Sequence, residues 1–173
     1  MSKKQDREKK EKDRTLKLAK PPVSSLRLDD QLCFPLYATS RQMTRLYGAL
    51  LEPLGLTYPQ YLVLLVLWEK APRTVTEIGV ELQLNTNTLT PLLKRLEQLN
   101  LVSRERSKTD ERVVQITLTP EGQALRKKGQ AIPEGMIAAL GWDGNKAARL
   151  RELLEDLNLK LTEAIARQEN REP

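Results

Sequence analysis

The residue with the clearest potential for chemistry is Cys33, the one cysteine in a chain of 173 residues that has no histidine. A chain without histidine cannot build a His-based zinc site or a nucleophile that depends on a histidine base. A single cysteine cannot form an internal disulfide, which fits a reducing compartment. We therefore expect neither a metal nor a cofactor, and the thiol of Cys33 is the candidate reactive group.

Tyrosines are concentrated near this cysteine. Six of the seven aromatic residues, including all four tyrosines, fall between positions 34 and 68. On a helix, Tyr37 and Tyr47 lie ~40° to either side of Cys33, but Tyr47 is ~21 Å further along the axis and cannot reach Cys33 of its own helix. If two copies of the helix cross antiparallel, Tyr47 of one chain can approach Cys33 of the other. Phenolic O–H groups near the sulfur would stabilise the thiolate and make it a better nucleophile toward a peroxide.

These residues also have a simpler interpretation. Most single cysteines are small buried hydrophobes, and the spacing around Cys33 fits that role equally well. Tyr58 and Tyr61 stand at the start of a capped helix, where tyrosines commonly fill a core. The residues by themselves leave both interpretations open.

The stretch from residue 74 to residue 118 predicts a winged helix-turn-helix, a layout of DNA-reading domains. A short helix opens with Thr76 as the expected cap and stops at Asn85. After a second helix, the apolar period changes from helical to alternating, which predicts strands at residues 102–106 and 113–118. The charged turn between these strands completes a basic hairpin, the wing.

The second helix of the pair is the expected recognition helix. Asn87 or Thr88 is its expected cap, because Pro91 fits only in the first turn, where its missing N–H is not needed. The N-terminal residues of this helix would lie at base edges in the major groove. The residues expected on its apolar face are Leu92, Leu96 and Leu99.

The tip of the wing carries Asp110 and Arg112, whose side chains point the same way if the tip is extended. The carboxylate could then hold the guanidinium as it enters the minor groove. The alternative is a pair of ordinary solvated loop charges, but the position directly after a helix pair favours DNA binding. The expected DNA-binding residues are Asn85, Thr86, Asn87, Thr88, Thr90, Pro91, Lys94, Arg95, Arg104, Arg106, Lys108, Asp110 and Arg112.

Most of the net charge of +6 belongs to the first 25 residues, which hold nine Lys or Arg against four Asp or Glu. This segment ends in Pro21-Pro22, and its composition predicts a disordered basic tail over residues 1–25. The tail either attracts phosphates weakly, in a salt-sensitive way, or only solubilises the chain. The affinity of residues 26–173 for DNA must then come from local clusters of basic residues such as those at 94–112.

The fold class that these patterns predict is mainly α with a small β-hairpin wing. Apolar residues recur at helical steps over residues 28–54, where Asp29 or Asp30 can cap the helix, which either starts near Cys33 or bends at Pro35. The nearly all-apolar residues 62–68 fit a buried core helix; their pattern does not exclude a strand, but length and caps favour a helix.

Leucine-rich stripes near both ends suggest packing between subunits. Thr119-Pro120 starts another helix, residues 141–144 form a loop, and a narrow apolar stripe follows from residue 146. We expect residues 28–56 and 120–170 to dimerise and residues 57–118 to form the DNA-binding winged helix. A two-fold dimer would place two wings on two half-sites of double-stranded operator DNA.

The membrane is not an expected partner. No apolar run reaches the length needed to span a bilayer, and the N-terminus is charged without a hydrophobic signal core. We therefore expect a cytoplasmic protein.

Taken together, these residues resemble the MarR family and, within it, the one-cysteine organic hydroperoxide resistance regulators (OhrR). The resemblance runs from about residue 28 to the C-terminal helix. The cysteine with its tyrosines is the more specific part of it. The matching segments are Leu32-Cys33-Phe34 with Leu36-Tyr37-Ala38, Thr57-Tyr58-Pro59-Gln60-Tyr61, Leu89-Thr90-Pro91-Leu92-Leu93-Lys94-Arg95 and Asp110-Glu111-Arg112.

The resemblance implies a MarR-like homodimeric repressor, not an enzyme, that leaves its operator when an organic hydroperoxide oxidises Cys33. It implies that Tyr37 and Tyr47, from the partner chain, hydrogen-bond the sulfur, with Tyr58 in the same network. It also implies that Arg112 enters the minor groove with support from Asp110. Since the chain lacks a second cysteine, lasting inactivation would need a mixed disulfide with a low-molecular-weight thiol, a cyclic sulfenamide or overoxidation.

Three other functions fit parts of the same sequence. A MarR-type repressor could sense a small aromatic ligand in the dimer cleft, with Cys33 inert. A thiol peroxidase would turn over repeatedly with a thiol reductant, whereas a sensor reacts once. An architectural DNA-binding protein would bind without sequence preference and would not respond to peroxide.

Overall fold

A computed structural model describes residues 26–106 and 113–170 of the chain. The expected tail at residues 1–25 lies outside this range, as do Lys108, Asp110 and Arg112 at the wing tip. The chain divides into two compact units, one ending at Thr44 and one beginning at Arg45.

The first long helix, α1, spans Cys33–Leu51 and is preceded by a 3-10 turn at Leu28–Asp30. A start at Cys33 was one of the two predicted alternatives, and it puts Pro35 in the first turn, where no helical hydrogen bond is lost. The expected cap at Asp29 or Asp30 is wrong, because both residues belong to the 3-10 turn and the helix begins after it. A second 3-10 turn, Glu52–Leu54, follows α1.

The buried core helix, α2, spans Tyr58–Glu69. Its N-terminus is stabilised by a capping box in which the Thr57 N–H donates to the Gln60 side chain over 2.8 Å. Most of α2 is covered, and Tyr61, Leu64 and Leu67 are at most 1% exposed, whereas Leu65 is 39% exposed. A helix buried on most of its circumference needs no polar face, which explains the nearly continuous apolar sequence. The prediction of a helix here is confirmed.

The helix-turn-helix consists of α3, Val75–Leu82, and α4, Thr86–Gln98. The cap of α3 is Thr74 and not the expected Thr76. Thr74 Oγ1 accepts the Glu77 N–H over 3.1 Å, and the Glu77 carboxylate accepts the Thr74 N–H over 2.6 Å. This reciprocal pair requires a carboxylate three residues after the cap, and only Thr74 has one.

The start of α4 also differs from the expectation. Asn85 caps the helix, and neither Asn87 nor Thr88 does, because the Asn85 side chain accepts the Thr88 N–H over 2.9 Å. Pro91 consequently lies in the second turn and removes one helical hydrogen bond on an exposed side. Its expected position in the first turn is therefore wrong.

The apolar face of α4 is also shifted from the predicted one. Leu89, Leu93 and Leu96 are fully buried, so Leu96 is confirmed as a core residue. Leu92 is only partly buried. Leu99 is 37% exposed and stands at the C-terminal cap, so its expected place on the buried face is wrong.

The two predicted wing strands are β2, Val102–Arg106, and β3, Val114–Leu118. They pair antiparallel, with Arg104 opposite Ile116. A third strand, β1, contains only Arg73–Thr74 and pairs with the other side of β3, giving the order β1-β3-β2. The prediction of the hairpin is confirmed. Two residues are too few to show an alternating pattern, and β1 was not predicted.

Three helices follow the wing: α5 at Pro120–Gly129, α6 at Ile132–Ala139 and α7 at Gly144–Glu169. Thr119 caps α5 as expected, accepting the Gly122 N–H over 3.0 Å, and Pro120 takes the first helical position. The loop between α6 and α7 is at the predicted place, and Asp143 caps α7. None of the residues of α7 is buried.

Within the described residues, no single helix is both long and apolar enough to cross a membrane. Only the bent pair Cys33–Leu54 and Tyr58–Glu69, taken together, passes that test by length and composition.

Candidate nucleic-acid interface and sensor residues

The N-terminal half of α4 presents a polar, exposed surface. Asn85 Oδ1 accepts both the backbone N–H and the hydroxyl of Thr88 over 2.9 Å. Thr90 donates its hydroxyl to the Thr86 carbonyl over 2.8 Å. With the leucine face buried beneath, the first two turns expose side-chain amides and hydroxyls, which can donate to and accept from base edges. The predicted residues that share this surface are Asn85, Thr86, Asn87, Thr88, Thr90 and Pro91.

Two basic residues extend this surface toward the C-terminus of α4. Lys94 and Arg95 are exposed, and Arg95 is held by a 3.3 Å hydrogen bond to the Gln98 side chain. Among the described residues, neither forms a salt bridge with an acidic side chain. Exposed cations beside polar groups that can reach bases suit contact with phosphate oxygens.

The two predicted arginines of β2 differ in exposure. Arg106 is exposed near the wing. Arg104 is partly buried, its Nη1 lies 3.9 Å from a Glu97 carboxylate oxygen, and its Nε is buried without a hydrogen-bond partner. Arg104 therefore carries a polar donor that the protein leaves unused, whereas Arg106 is free to meet a phosphate.

A cavity of about 390 Å³ lies between α3, α4 and the wing strands, beside Arg104. Its walls combine threonine hydroxyls, valine methyl groups and one guanidinium. Sequence patterns do not reveal this cavity, because its lining residues come from five separate elements. These residues are Thr74, Val75, Thr76, Thr86, Thr90, Arg104, Val113 and Val114.

Cys33 is the first residue of α1, and its side chain is exposed. Tyr37, one turn further along, is 60% exposed. Its phenol oxygen accepts a 3.4 Å hydrogen bond from Arg41, whose guanidinium lies 5.7 Å from the centre of the Tyr37 ring. In the single chain, the thiol is open to a soluble oxidant, and none of the described residues buries it.

The other two predicted sensor tyrosines are in contact. The rings of Tyr47 and Tyr58 stack with their centres 4.3 Å apart. Burial raises the pKa of Tyr47, and burial together with repulsion from Tyr47 raises the pKa of Tyr58. Both phenols therefore stay protonated near neutral pH and can donate a hydrogen bond.

This pair continues into an aromatic series that sequence reasoning did not assign to the site. Tyr61 lies 6.3 Å from Tyr47, and Trp68 packs edge-on to Tyr61 at 6.0 Å. Tyr61 donates its hydroxyl to the Gly129 carbonyl over 3.0 Å, and Trp68 Nε1 donates to the Gly122 carbonyl over 2.9 Å.

A sequence signal for this contact exists in α5. Gly122 and Gly129 are seven residues apart, which places them on one face of the helix two turns apart. Both are buried, and a Cβ at Gly129 would lie 2.6 Å from the Trp68 ring. Two glycines at this spacing on one helix indicate a close approach by large side chains.

Comparison with known proteins places this geometry in a family. The family description "Transcriptional regulator SarA/Rot" matches residues 45–129. The chain is 46% identical over 139 residues to the organic hydroperoxide resistance transcriptional regulator of Bacillus subtilis (strain 168), covering 78% of this chain and 95% of the relative.

Solved structures give the same result. Reduced AbfR bound to DNA is 42% identical, with a TM-score of 0.72 and coverage of 81% of this chain and 96% of that one. AbfR, which is from Staphylococcus epidermidis, has also been crystallised in an overoxidised form bound to DNA and in a disulfide form. A mutant MarR from E. coli complexed with operator DNA is 26% identical, with a TM-score of 0.66 and coverage of 73% and 92%. The winged helix-turn-helix, the identity and the coverage agree, and the chain belongs to the MarR/SarA family of transcriptional regulators.

Proposed function

We propose that this regulator is a dimeric repressor that releases operator DNA when an organic hydroperoxide oxidises Cys33. The observation that carries this proposal is the 46% identity to an organic hydroperoxide regulator in a chain whose single thiol is exposed. The proposal has three parts: how the chain binds DNA, how two copies associate, and how oxidation ends binding.

For DNA binding, α4 is the recognition helix. Its exposed first turns present Asn85, Asn87 and Thr88 to base edges in the major groove, while Lys94 and Arg106 meet phosphates. Arg112, supported by Asp110, enters the minor groove from the wing tip. The DNA complexes of AbfR and of MarR support this assignment, since both relatives share the fold.

For association, a second copy of the chain covers the apolar side chains that the helices outside the winged helix leave exposed. On α7, Leu153, Leu161 and Ile165 are between 51% and 63% exposed, and Leu154 is 44% exposed. Leu28 and Leu32, near the start of α1, are 57% and 75% exposed. Burial of a wholly exposed side chain of this size contributes roughly 1.5–3 kcal/mol, and these side chains, which are about half exposed, would each contribute roughly half of that. Residues 28–56 and 120–170 form the dimer interface, and residues 57–118 contact DNA.

The oxidation is a two-electron step at sulfur. The Cys33 thiolate attacks the distal oxygen of the hydroperoxide, and the O–O bond breaks. The sulfur becomes a sulfenic acid, and the leaving alkoxide takes a proton to give an alcohol. A low-molecular-weight thiol then attacks the sulfenic acid, which releases water and leaves a mixed disulfide on Cys33.

The tyrosines sense the change at sulfur. Tyr37 and Tyr47 of the partner subunit donate hydrogen bonds to the reduced sulfur, and Tyr58 orients Tyr47 by stacking on it. A polar or bulkier group on Cys33 disturbs these bonds at a cost of about 1–3 kcal/mol for each polar group left unsatisfied. The two recognition helices then no longer match the spacing of the half-sites, and affinity falls because both must dock together.

The test compares wild type with Cys33→Ser on a duplex that the reduced protein itself has selected in vitro. Cumene hydroperoxide and a small thiol should weaken binding by wild type, and mass spectrometry should find the adduct on Cys33. Cys33→Ser should keep its affinity under the same treatment. Release of DNA by Cys33→Ser would exclude the cysteine as the sensor, and repeated turnover of peroxide with excess thiol would favour a peroxidase.

The cavity between α3, α4 and the wing favours a second candidate, a repressor that senses a small aromatic ligand. Threonine hydroxyls, valine methyl groups and the guanidinium of Arg104 suit an aromatic ring that bears a carboxylate. This position is within the winged helix and not in the dimer cleft that the sequence suggested. A shift in melting temperature with an aromatic carboxylate, lost in Arg104→Ala, would support this candidate.

A further inference from the structure

The residues that join the tyrosine pair to the recognition helix belong to α2 and α5, neither of which contacts DNA in the proposed function. The aromatic rings follow one another in the order Tyr58, Tyr47, Tyr61 and Trp68, with no pair of neighbouring centres more than 6.3 Å apart. Tyr58, Tyr61 and Trp68 project from α2, and Tyr47 of α1 connects Tyr58 to Tyr61. The series therefore leads from the stacked pair, through one ring of α1, to the far end of α2.

Two residues of α2 hold α5, Tyr61 in the first turn of α2 and Trp68 at its far end. The Trp68 Nε1–H donates to the Gly122 carbonyl, and the Tyr61 hydroxyl donates to the Gly129 carbonyl. These carbonyls are two turns apart, a distance of ~10 Å along α5. One hydrogen bond would leave α5 free to pivot, whereas two at this separation fix both its position and its direction relative to α2.

The first turn of α5 in turn holds the end of the recognition helix α4. The Thr119 hydroxyl donates to the Asn100 carbonyl over 2.6 Å, and the Thr119 N–H donates to the Leu101 carbonyl over 3.2 Å. A Cβ on Gly122 would overlap the Leu101 carbonyl, so no side chain separates the two backbones. Leu101 itself closes α4, since its N–H donates to the Leu96 carbonyl over 3.0 Å.

We infer that Trp68 and Tyr61 are positioning residues that transmit the state of the Tyr47–Tyr58 pair through α5 to the C-terminal end of α4. Close packing makes this connection stiff. Gly129 is buried with the Trp68 ring directly above it, so a displaced Tyr61 or Trp68 cannot be absorbed by free space. Interiors packed at this density shift as units between discrete arrangements.

This inference rests on the proposed function, because it describes how a change at the tyrosines reaches the DNA-binding helix. It adds residues that touch neither the cysteine nor the DNA. A purely structural role for Trp68 and Tyr61 would lower stability and affinity alike, whereas a coupling role changes the ratio of oxidised to reduced affinity.

The experiment measures the dissociation constant for the selected duplex with reduced and with peroxide-treated protein, and takes their ratio. Trp68→Phe removes the Nε1–H donor, and Tyr61→Phe removes only the hydroxyl, so that a fold-preserving variant exists at one position at least. Trp142→Phe is the matched control, since Trp142 contacts Lys146 and lies outside the series. Mass spectrometry measures the extent of Cys33 oxidation in every variant.

We expect Trp68→Phe and Tyr61→Phe to bind the duplex in the reduced state within about threefold of wild type and to be oxidised equally. Their ratio of oxidised to reduced dissociation constants should be roughly fivefold smaller than that of wild type, within the range seen for residues between coupled sites. Trp142→Phe should keep the wild-type ratio. If the ratio of dissociation constants is large for wild type and equally large for both variants, the inference is wrong and the proposed function stands. A wild-type ratio near one would overturn the proposed function and the inference with it.

Discussion

The close approach of α5 to the end of α4 yields the sharpest stability prediction, for Gly122→Ala. The added Cβ would overlap the Leu101 carbonyl oxygen and lie 2.9 Å from its carbon. Optimal contact between carbon atoms is ~3.5–4.0 Å, so α5 must retreat by at least ~0.6 Å. Because both atoms belong to backbone or are attached directly to it, no side-chain rotation relieves the overlap.

The loss of stability caused by this substitution follows from the contacts that are disturbed when α5 moves away from Leu101. Overpacking a well-filled site costs about 1–3 kcal/mol. Three hydrogen bonds meet at this contact: those from Thr119 to Asn100 and Leu101, and the one from Trp68 to Gly122. Each contributes about 0.5–1.5 kcal/mol and is weakened but not lost. Alanine returns up to ~1 kcal/mol through its better helix propensity. The net expectation is a loss of roughly 2–4 kcal/mol.

Thermal and urea unfolding measure this loss. For a chain of this size, each kcal/mol lowers the melting temperature by about 2–4 °C, so a fall of roughly 5–15 °C is expected. Gly144→Ala is the control, because nothing lies within 4 Å of a Cβ at that position. A Gly122→Ala variant that melts within ~2 °C of wild type would refute the argument, since a drop that small corresponds to under ~1 kcal/mol.

Three further predictions concern the helix cap, the basic residues and the tyrosines. Asn85→Ala removes the side-chain acceptor of the Thr88 N–H and should lower the urea-derived free energy of unfolding by about 1 kcal/mol, while Asn85→Ser should lower it less. Lys94→Ala and Arg106→Ala should each make the slope of log affinity against log salt concentration less negative by roughly one, whereas Arg149→Ala on α7 should leave it unchanged. Burial raises the pKa of Tyr61 and of the Tyr47–Tyr58 pair, so these phenols lose their protons at a lower pH in the unfolded chain than in the folded one. Their contribution to stability is therefore intact below about pH 10 and is lost as the pH rises above it. Melting temperatures between pH 8 and 11 should therefore fall less steeply for Tyr61→Phe than for wild type, and equal slopes would contradict the assignment.

The parts of the fold that the sequence predicted well are those that local periodicity determines. The strands of the wing, the core helix α2 and the start of α5 at Thr119-Pro120 depend on the spacing of apolar residues and on one unambiguous cap. The caps of α3 and α4 were misassigned because several cap formers compete there. At α3 the Thr74–Glu77 pair decides between them, and at α4 the Asn85 side chain does, while Pro91 misled the sequence reasoning by suggesting a later start.

The parts that could not be predicted depend on contacts between distant segments. The strand Arg73–Thr74 exists only because β3 offers it an edge, and the cavity beside Arg104 has walls from five elements. Tyr61 and Trp68 look like ordinary core residues until their partners in α5 are known. The sensor role of Cys33 and the DNA contacts of the wing tip stay predictions, because they involve a second chain, an oxidant and DNA.

A small free-energy change at each cysteine is enough for the proposed response, because both subunits of the dimer contribute to the loss of operator affinity. A hundredfold loss of operator affinity corresponds to ~2.7 kcal/mol, or ~1.4 kcal/mol for each subunit. One polar group left without a partner costs about 1–3 kcal/mol, so a single unsatisfied group per subunit supplies the whole effect. The contacts from Tyr47 to Leu101 then do not need to increase this free energy. They need only to be stiff enough that a displacement at Tyr47 reaches α4. Side chains at positions 122 and 129 would force α5 away from its neighbours. Gly122 lets α5 lie against the Leu101 backbone, and Gly129 lets it lie against the Trp68 ring, where that stiffness is required.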